Sequence, residues 1–348
     1  MWKKESTFKY NNSGDATKAH WGACERRKHG EYCMGILSGL GRWLGPRPAP
    51  EAAVREAIGR ALDAVDPRLK AVPDYERRLA PAVSHALRHC EALADEMPGP
   101  VEIGARAFGA DPLVHAMFAT AGDIADMLGR SRAVREFLAD PDNIAREEFF
   151  ALLGMRHREK TATGLALNGD VVQHGVPQRL LYFADHTLGE LGGEHGIMRR
   201  RLRAAAFDSL ALGFARCVAE LRQKHQDART AWQTERASAG QAERRQMLEE
   251  RQRQAIASLV PERVLEAYAD WLTSPEERLY LKPNEVWVDR MGVIAPMPEA
   301  AGNFSTLNFP ELVGRDRRHW IVLVARISRQ EAMDAIQRQQ QANRYLLI

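Results

Sequence analysis

The chain carries no proline between Pro177 and Pro261, and that gap limits its fold more than any other feature. Within it, Phe207, Leu210, Phe214, Cys217, Leu221, Ala228 and Trp232 recur in steps of three and four, broken only at Lys224 and His225. This spacing keeps one apolar seam along a helix. A helix from about Ile197 to Arg236 would be about 60 Å long at the usual rise per residue. Ala237-Ser238-Ala239-Gly240 reads as a turn. Residues Gln241 to Gln254 return as an almost wholly Gln, Glu and Arg stretch, with Met247 and Leu248 as its apolar pair. Ile256, Leu259, Val264, Leu265, Tyr268 and Trp271 then rejoin a core. The expectation is a coiled-coil-like helical hairpin at about 197–260, apolar at its base and polar at its tip.

Strand signals flank this hairpin on both sides. Before it come the apolar run Phe149–Leu153 and Leu165-Ala166-Leu167, turning at Asn168-Gly169 into Val171-Val172. Asn-Gly supplies the positive φ angles of a tight hairpin turn. Leu180–Ala184 follows. After the hairpin come Val286-Trp287-Val288, Val293-Ile294, and the near-continuous run from Trp320 to Ile327, which suits a central strand buried on both faces. The two sets of strands predict one mainly antiparallel sheet, interrupted by the hairpin.

Upstream the periodicity is helical. Val54, Ile58, Ala61, Leu62 and Val65 share one face, stopped at Asp66-Pro67. Leu79, Val83, Leu87, Cys90, Leu93 and Met97 share a second. Asp111-Pro112, a capping residue followed by proline, starts a third helix that runs toward Leu128, and Val134, Phe137 and Leu138 make a fourth. The fold class is therefore α+β. The expected order is a helical domain over 51–145 and an α+β domain over 146–348 that contains the hairpin.

Charge divides the chain elsewhere. Five of the nine lysines precede Met34, and residues 1–33 carry seven Lys/Arg against four Asp/Glu. The remaining residues balance at 42 of each sign, so the whole net charge of +3 lies in a polar head that reads as disordered or non-native. A neutral body argues against nucleic acid as a partner, despite the basic clusters Arg199–Arg203 and Gly314–His319. Within the head, His20, Cys24, His29 and Cys33 form His-x3-Cys-x4-His-x3-Cys, which would hold one zinc ion. Zinc there is the one cofactor the spacing suggests, and the disordered reading is the competing one. Residues 34–50 are an apolar segment and a Pro-rich linker. The segment 35–44 suits docking on the body, and at most a weak peripheral membrane contact. No apolar run spans a membrane, and the four cysteines show no disulfide framework. A cytoplasmic, bacterial protein is expected.

The densest cluster of chemically useful residues is Asp185 to His195. Asp185, His186, Glu190, Glu194 and His195 are the candidates for catalysis or for holding a divalent metal. Gly192 and Gly193, ahead of Arg199 and Arg200 on a helix start, are the candidates for cradling a phosphate. The loop matches no defined motif, so a polar loop with caps is the plainer reading. The leading functional expectation is a protein that binds a protein partner or itself through the 197–260 hairpin. The alternative is a metal- or phosphate-dependent enzyme centred on Asp185–His195. The sequence names no substrate, partner or pathway.

Overall fold

A computed structural model describes residues 51–168, 171–237, 259–289, 291–295, 305–314 and 319–345, with 246, 250 and 257. The zinc pattern at His20, Cys24, His29 and Cys33, the 35–44 segment and most of the hairpin's return stretch lie outside the described residues.

The chain opens with helix α1 (Ala52–Val65), whose buried face is Val54, Ala57, Ile58, Ala61, Leu62 and Val65. Asp66 ends it by accepting from the Arg68 backbone amide and so capping the short 3-10 turn Pro67–Ala71. Helix α2 (Tyr75–Glu96) follows, buried through Leu79, Val83, Cys90 and Leu93. A two-residue strand β1 (Val101–Glu102) precedes helices α3 (Ala105–Ala110), α4 (Pro112–Met117), α5 (Ala121–Arg130) and α6 (Arg132–Ala139). The expected third helix thus starts at the predicted cap, where Asp111 accepts from Leu113. It stops after six residues, because Phe118 is extended and Thr120 begins a new helix through a capping box with Asp123.

Strands β2 (Glu148–Asn168) and β3 (Val171–Gly192) form one long antiparallel ribbon. They fuse what the sequence divides into several short strands. The predicted loop at Asp185–Gly192 is part of β3 and accommodates two register shifts, beside Asp185-His186 and beside Glu190-Leu191. Asp185 and Glu190 hold φ of 58° and 51°, the left-handed conformation that bulges use.

Helix α7 (His195–Ala237) then runs for 43 residues, about 65 Å at the usual rise. Helix α8 (Pro261–Leu272), β4 (Tyr280–Val288), β5 (Ser305–Val313), β6 (His319–Ser328) and helix α9 (Arg329–Tyr345) complete the order. The sequence reading does not anticipate α9, whose Gln- and Arg-rich surface masks the buried Ala332 and Ala335.

The sheet order is β3-β2-β6-β5-β4, antiparallel throughout, with β1 parallel to one end of β6. β6 is central, as its apolar run predicts, and five of its successive residues from Ile321 to Ala325 are buried. Residues 292–294 bridge the two outer strands: Leu181 donates to Gly292 at 2.8 Å, Ile294 donates to Arg179 at 2.8 Å, and Ile294 pairs with Val288. The sheet therefore curls until its edges share a short connecting segment.

Alternation along β6 divides the interior into two cores. Val322 and Val324 face a core built with α1, α2, α7 and α8. Ile321, Leu323, Ala325 and Ile327 face the other, with Leu153, Met155, Phe183, Leu307 and Phe309 from the sheet and Val114, Ile124, Val134 and Ala335 from α4, α5, α6 and α9. The helices of residues 51–145 thus share both cores with the sheet, and the boundary expected near residue 146 separates no core of their own.

Candidate functional site

The five side chains of the Asp185–His195 cluster go to different places. His186 donates Nε2 to the Met117 carbonyl at 2.8 Å and stacks on Phe118 with ring centroids 4.5 Å apart. Its burial pushes its pKa below the usual imidazole range, which suits a neutral ring tied to a backbone carbonyl. Glu190 is half-buried, and burial pushes its carboxyl up against the opposing pull of Arg201. Glu194 pairs with Arg146 at 2.9 Å. His195 accepts from Arg199 Nε at 3.0 Å, and its pKa is lowered by partial burial and then by that guanidinium. They converge on no single point. Asp185 points elsewhere again, toward Arg156 at 3.6 Å and Arg158 at 3.9 Å.

Three of the four phosphate candidates, Gly192, Gly193 and Arg199, are engaged in packing or hydrogen bonds. A Cβ on Gly192 would lie 2.7 Å from the Met198 amide, so this glycine serves close packing of the ribbon on α7. Beside Gly193 lies the Arg146 side chain. Arg199 donates to the Ala94 and Met97 carbonyls and so satisfies the C-terminal end of α2. Arg203 pairs with Glu91 and Asp95, and Arg201 donates to the Leu191 carbonyl. Of this basic run, Arg200 alone projects as an exposed side chain with no described role in packing.

The register of the sheet assembles a different cluster. Asp66 and Glu311 are the two buried charged side chains among the described residues. Glu311 lies on β5 opposite Ile321 of β6, and so faces the same interior as Phe309 and Leu307. His319, opposite Val313, shares that face, and His157 of β2 reaches it just beyond the last β2–β6 pair, Met155–Ile321. His157 Nδ1 lies 2.8 Å from Glu311 Oε1, and His319 Nδ1 lies 3.0 Å from Oε2. Asn284 Nδ2 adds a donor to Oε1 at 3.3 Å. His157, His319 and Asn284 thus bring three nitrogens to the two oxygens of the buried Glu311 carboxyl, which compensates its removal from water.

Outside this cluster, Arg156 lies over the Trp320 ring, 4.7 Å from its centroid. Arg156, His157, Arg158 and His319 line an open cleft of about 400 Å³. Sequence reasoning missed His157, Arg156, Arg158 and Glu311, and named His319 only as part of a basic loop. The available signal was a lone glutamate inside the apolar strand Leu307–Val313.

Among the described residues, no group of three or more His, Cys, Asp or Glu side chains is placed to hold a metal ion. No described helix is long and apolar enough to cross a membrane. Comparison with protein-family models, with curated proteins and with solved structures finds no match for the chain.

Proposed function

We propose that this is a cytoplasmic interaction protein whose contact surface is the far part of α7, and that its first partner is a second copy of the chain. One observation carries the reading: α7 changes character along its length. From Met198 to Val218 it buries Met198, Leu202, Ala206, Phe207, Leu210, Ala211, Phe214 and Val218. From Gln226 to Ala231 every side chain is exposed. A helix that continues beyond its own core, exposed on every face, gains nothing for that core.

Self-association fits the charge pattern. Asp227 and Arg229 alternate on the exposed turns, and the sequence of the return stretch mixes Glu and Arg in nearly equal number. A surface carrying both signs can pair with its own image in a two-fold dimer, the commonest oligomer of soluble proteins. Cys90 is a buried free thiol, which suits a reducing compartment. The alternative enzyme reading at Asp185–His195 loses support, because those side chains diverge.

The test is light-scattering mass of the full chain over a range of concentrations. The reading expects a multiple of the 39.1 kDa chain mass, falling toward one chain in the variant Asp227→Arg, which leaves those turns with positive charge only and so repelling their own image. A single-chain mass at every concentration overturns self-association.

A further inference from the structure

The geometry points to a second surface: one face of the β2–β3 ribbon, at Arg156, Arg158, Lys160 and Tyr182, binds single-stranded nucleic acid. None of the observations behind it involves α7. The balanced composition argues against such a partner for the chain as a whole, but the fold sorts charges that the sequence mixes. Arg199, Arg201 and Arg203 are taken up by carbonyls and by Glu91 and Asp95. On β2 the outcome differs. Between Arg156 and Gly164 its register with β3 is unbroken, so alternate side chains share a face. Arg156, Arg158 and Lys160 therefore stand in line on one face, opposite Ala184, Tyr182 and Leu180. Glu159 lies on the other face, where it pairs with Arg179 and leaves the row of cations uncompensated.

The side chains of the row are placed for an anion. Arg156 Nη1 and Arg158 Nη2 both approach one atom, Asp185 Oδ2, at 3.6 and 3.9 Å. Two guanidiniums thus already converge on a single oxygen, yet neither distance is a hydrogen bond, so Asp185 leaves their donors unused. Trp320 backs Arg156 from β6, with the guanidinium 4.7 Å from its ring centroid, and holds it against the sheet. Lys160 Nζ lies 5.7 Å from the centroid of Tyr182, whose side chain is 40% exposed. The face therefore carries three cations beside an open aromatic ring.

Spacing and chemistry together define the ligand class. Side chains two residues apart on a strand recur at about 6.6 Å, close to the step between successive phosphates of an extended single strand. The guanidiniums and the ammonium meet that backbone, and Tyr182 offers a face on which a base stacks. An acidic peptide would satisfy the cations and leave the ring without a stacking partner. A duplex presents two backbones across a groove, and one line of cations follows only one of them. Asp185 opposes the ligand: its carboxylate competes with phosphate for both guanidiniums, which keeps binding weak.

The test is fluorescence anisotropy of a labelled thymidine oligonucleotide of about 15 nucleotides titrated with the full chain over a range of salt concentrations. Three neutralised phosphates predict that log K falls against log salt with a slope of about −2. Arg158→Gln and Lys160→Gln, both at exposed positions, should each weaken binding and make that slope shallower by about 0.7. Tyr182→Leu should weaken binding about tenfold and leave the slope unchanged, because stacking releases no counterions. Asp185→Asn should tighten binding severalfold, since asparagine tolerates the left-handed backbone there and removes the competing charge. No binding with about 0.1 mM protein at about 50 mM salt overturns the proposal. So does a slope that the Arg158 and Lys160 variants leave unchanged. Tighter binding of a duplex of the same length overturns the single-strand reading, and equal competition by poly-glutamate of the same length would mark a general polyanion surface instead.

Discussion

Asp66 holds three groups at the place where α1 stops. Its carboxylate accepts from the Arg68 amide at 3.0 Å, from the Arg68 guanidinium at 2.8 and 3.1 Å, and from Arg222 of α7. The Arg68 hydrogen bond is the main cause that holds its pKa at about 2. A carboxyl whose pKa falls on folding stabilises the fold at every pH above its unfolded value, and loses that contribution as pH drops through its folded value. Asp66→Asn keeps a capping oxygen and removes the charge, so it should cost about 2 kcal/mol in urea denaturation at pH 7. The difference should shrink toward zero as pH approaches 2, and an unchanged difference there would show that the charge is not what matters. Asp66 was legible in the sequence as a helix stop, because Asp-Pro is a local signal. Its bond to Arg222 was not, since nothing local relates the two. The same limit explains the candidate site. His186 and His195 lie close together in sequence, yet one meets Met117 and the other Arg199. His157 and Glu311 lie far apart in sequence and meet through strand register.

At the scale of elements, α7 was legible because burial and periodicity coincide over its first half. The alternating steps at Phe207, Leu210 and Phe214 are the steps of its buried face. The β2–β3 ribbon was less legible. Its outer length, from Arg156 to Asn168, pairs with β3 alone; from Arg156 to Leu165 neither face is consistently buried, and no apolar alternation marks it. The hairpin read from Leu165 to Val172 is present, with Leu167 paired to Val172, and its Leu165 and Val172 are 57% and 52% exposed. The division within α7 makes a sharp prediction. Phe214 packs against Tyr268 and Trp271 with ring centroids 4.9 and 5.8 Å away. Phe214→Ala should cost roughly 3–5 kcal/mol, whereas Arg229→Ala should stay within about 0.5 kcal/mol. Chemical denaturation of both variants checks this, and comparable losses would mean that the far part of α7 is packed like its base.

For the whole molecule, the sequence suggested two domains because helical and strand signals change near residue 146. The fold joins them because β6, near the end of the chain, is the wall between two cores that the early helices help to fill. Such a closure is invisible to any local window, since it depends on which strand lies at the centre of the sheet. Both cores are filled without the far part of α7, and the proposal that this part meets a partner is the central claim. The direct measurement is deletion of residues 224–251, bridged by a short Gly/Ser loop, followed by circular dichroism melting beside light-scattering mass. The account predicts a melting temperature within a few degrees of the full chain and a mass reduced to that of one chain. Loss of folding, or an assembly mass per chain count unchanged by the deletion, would contradict it.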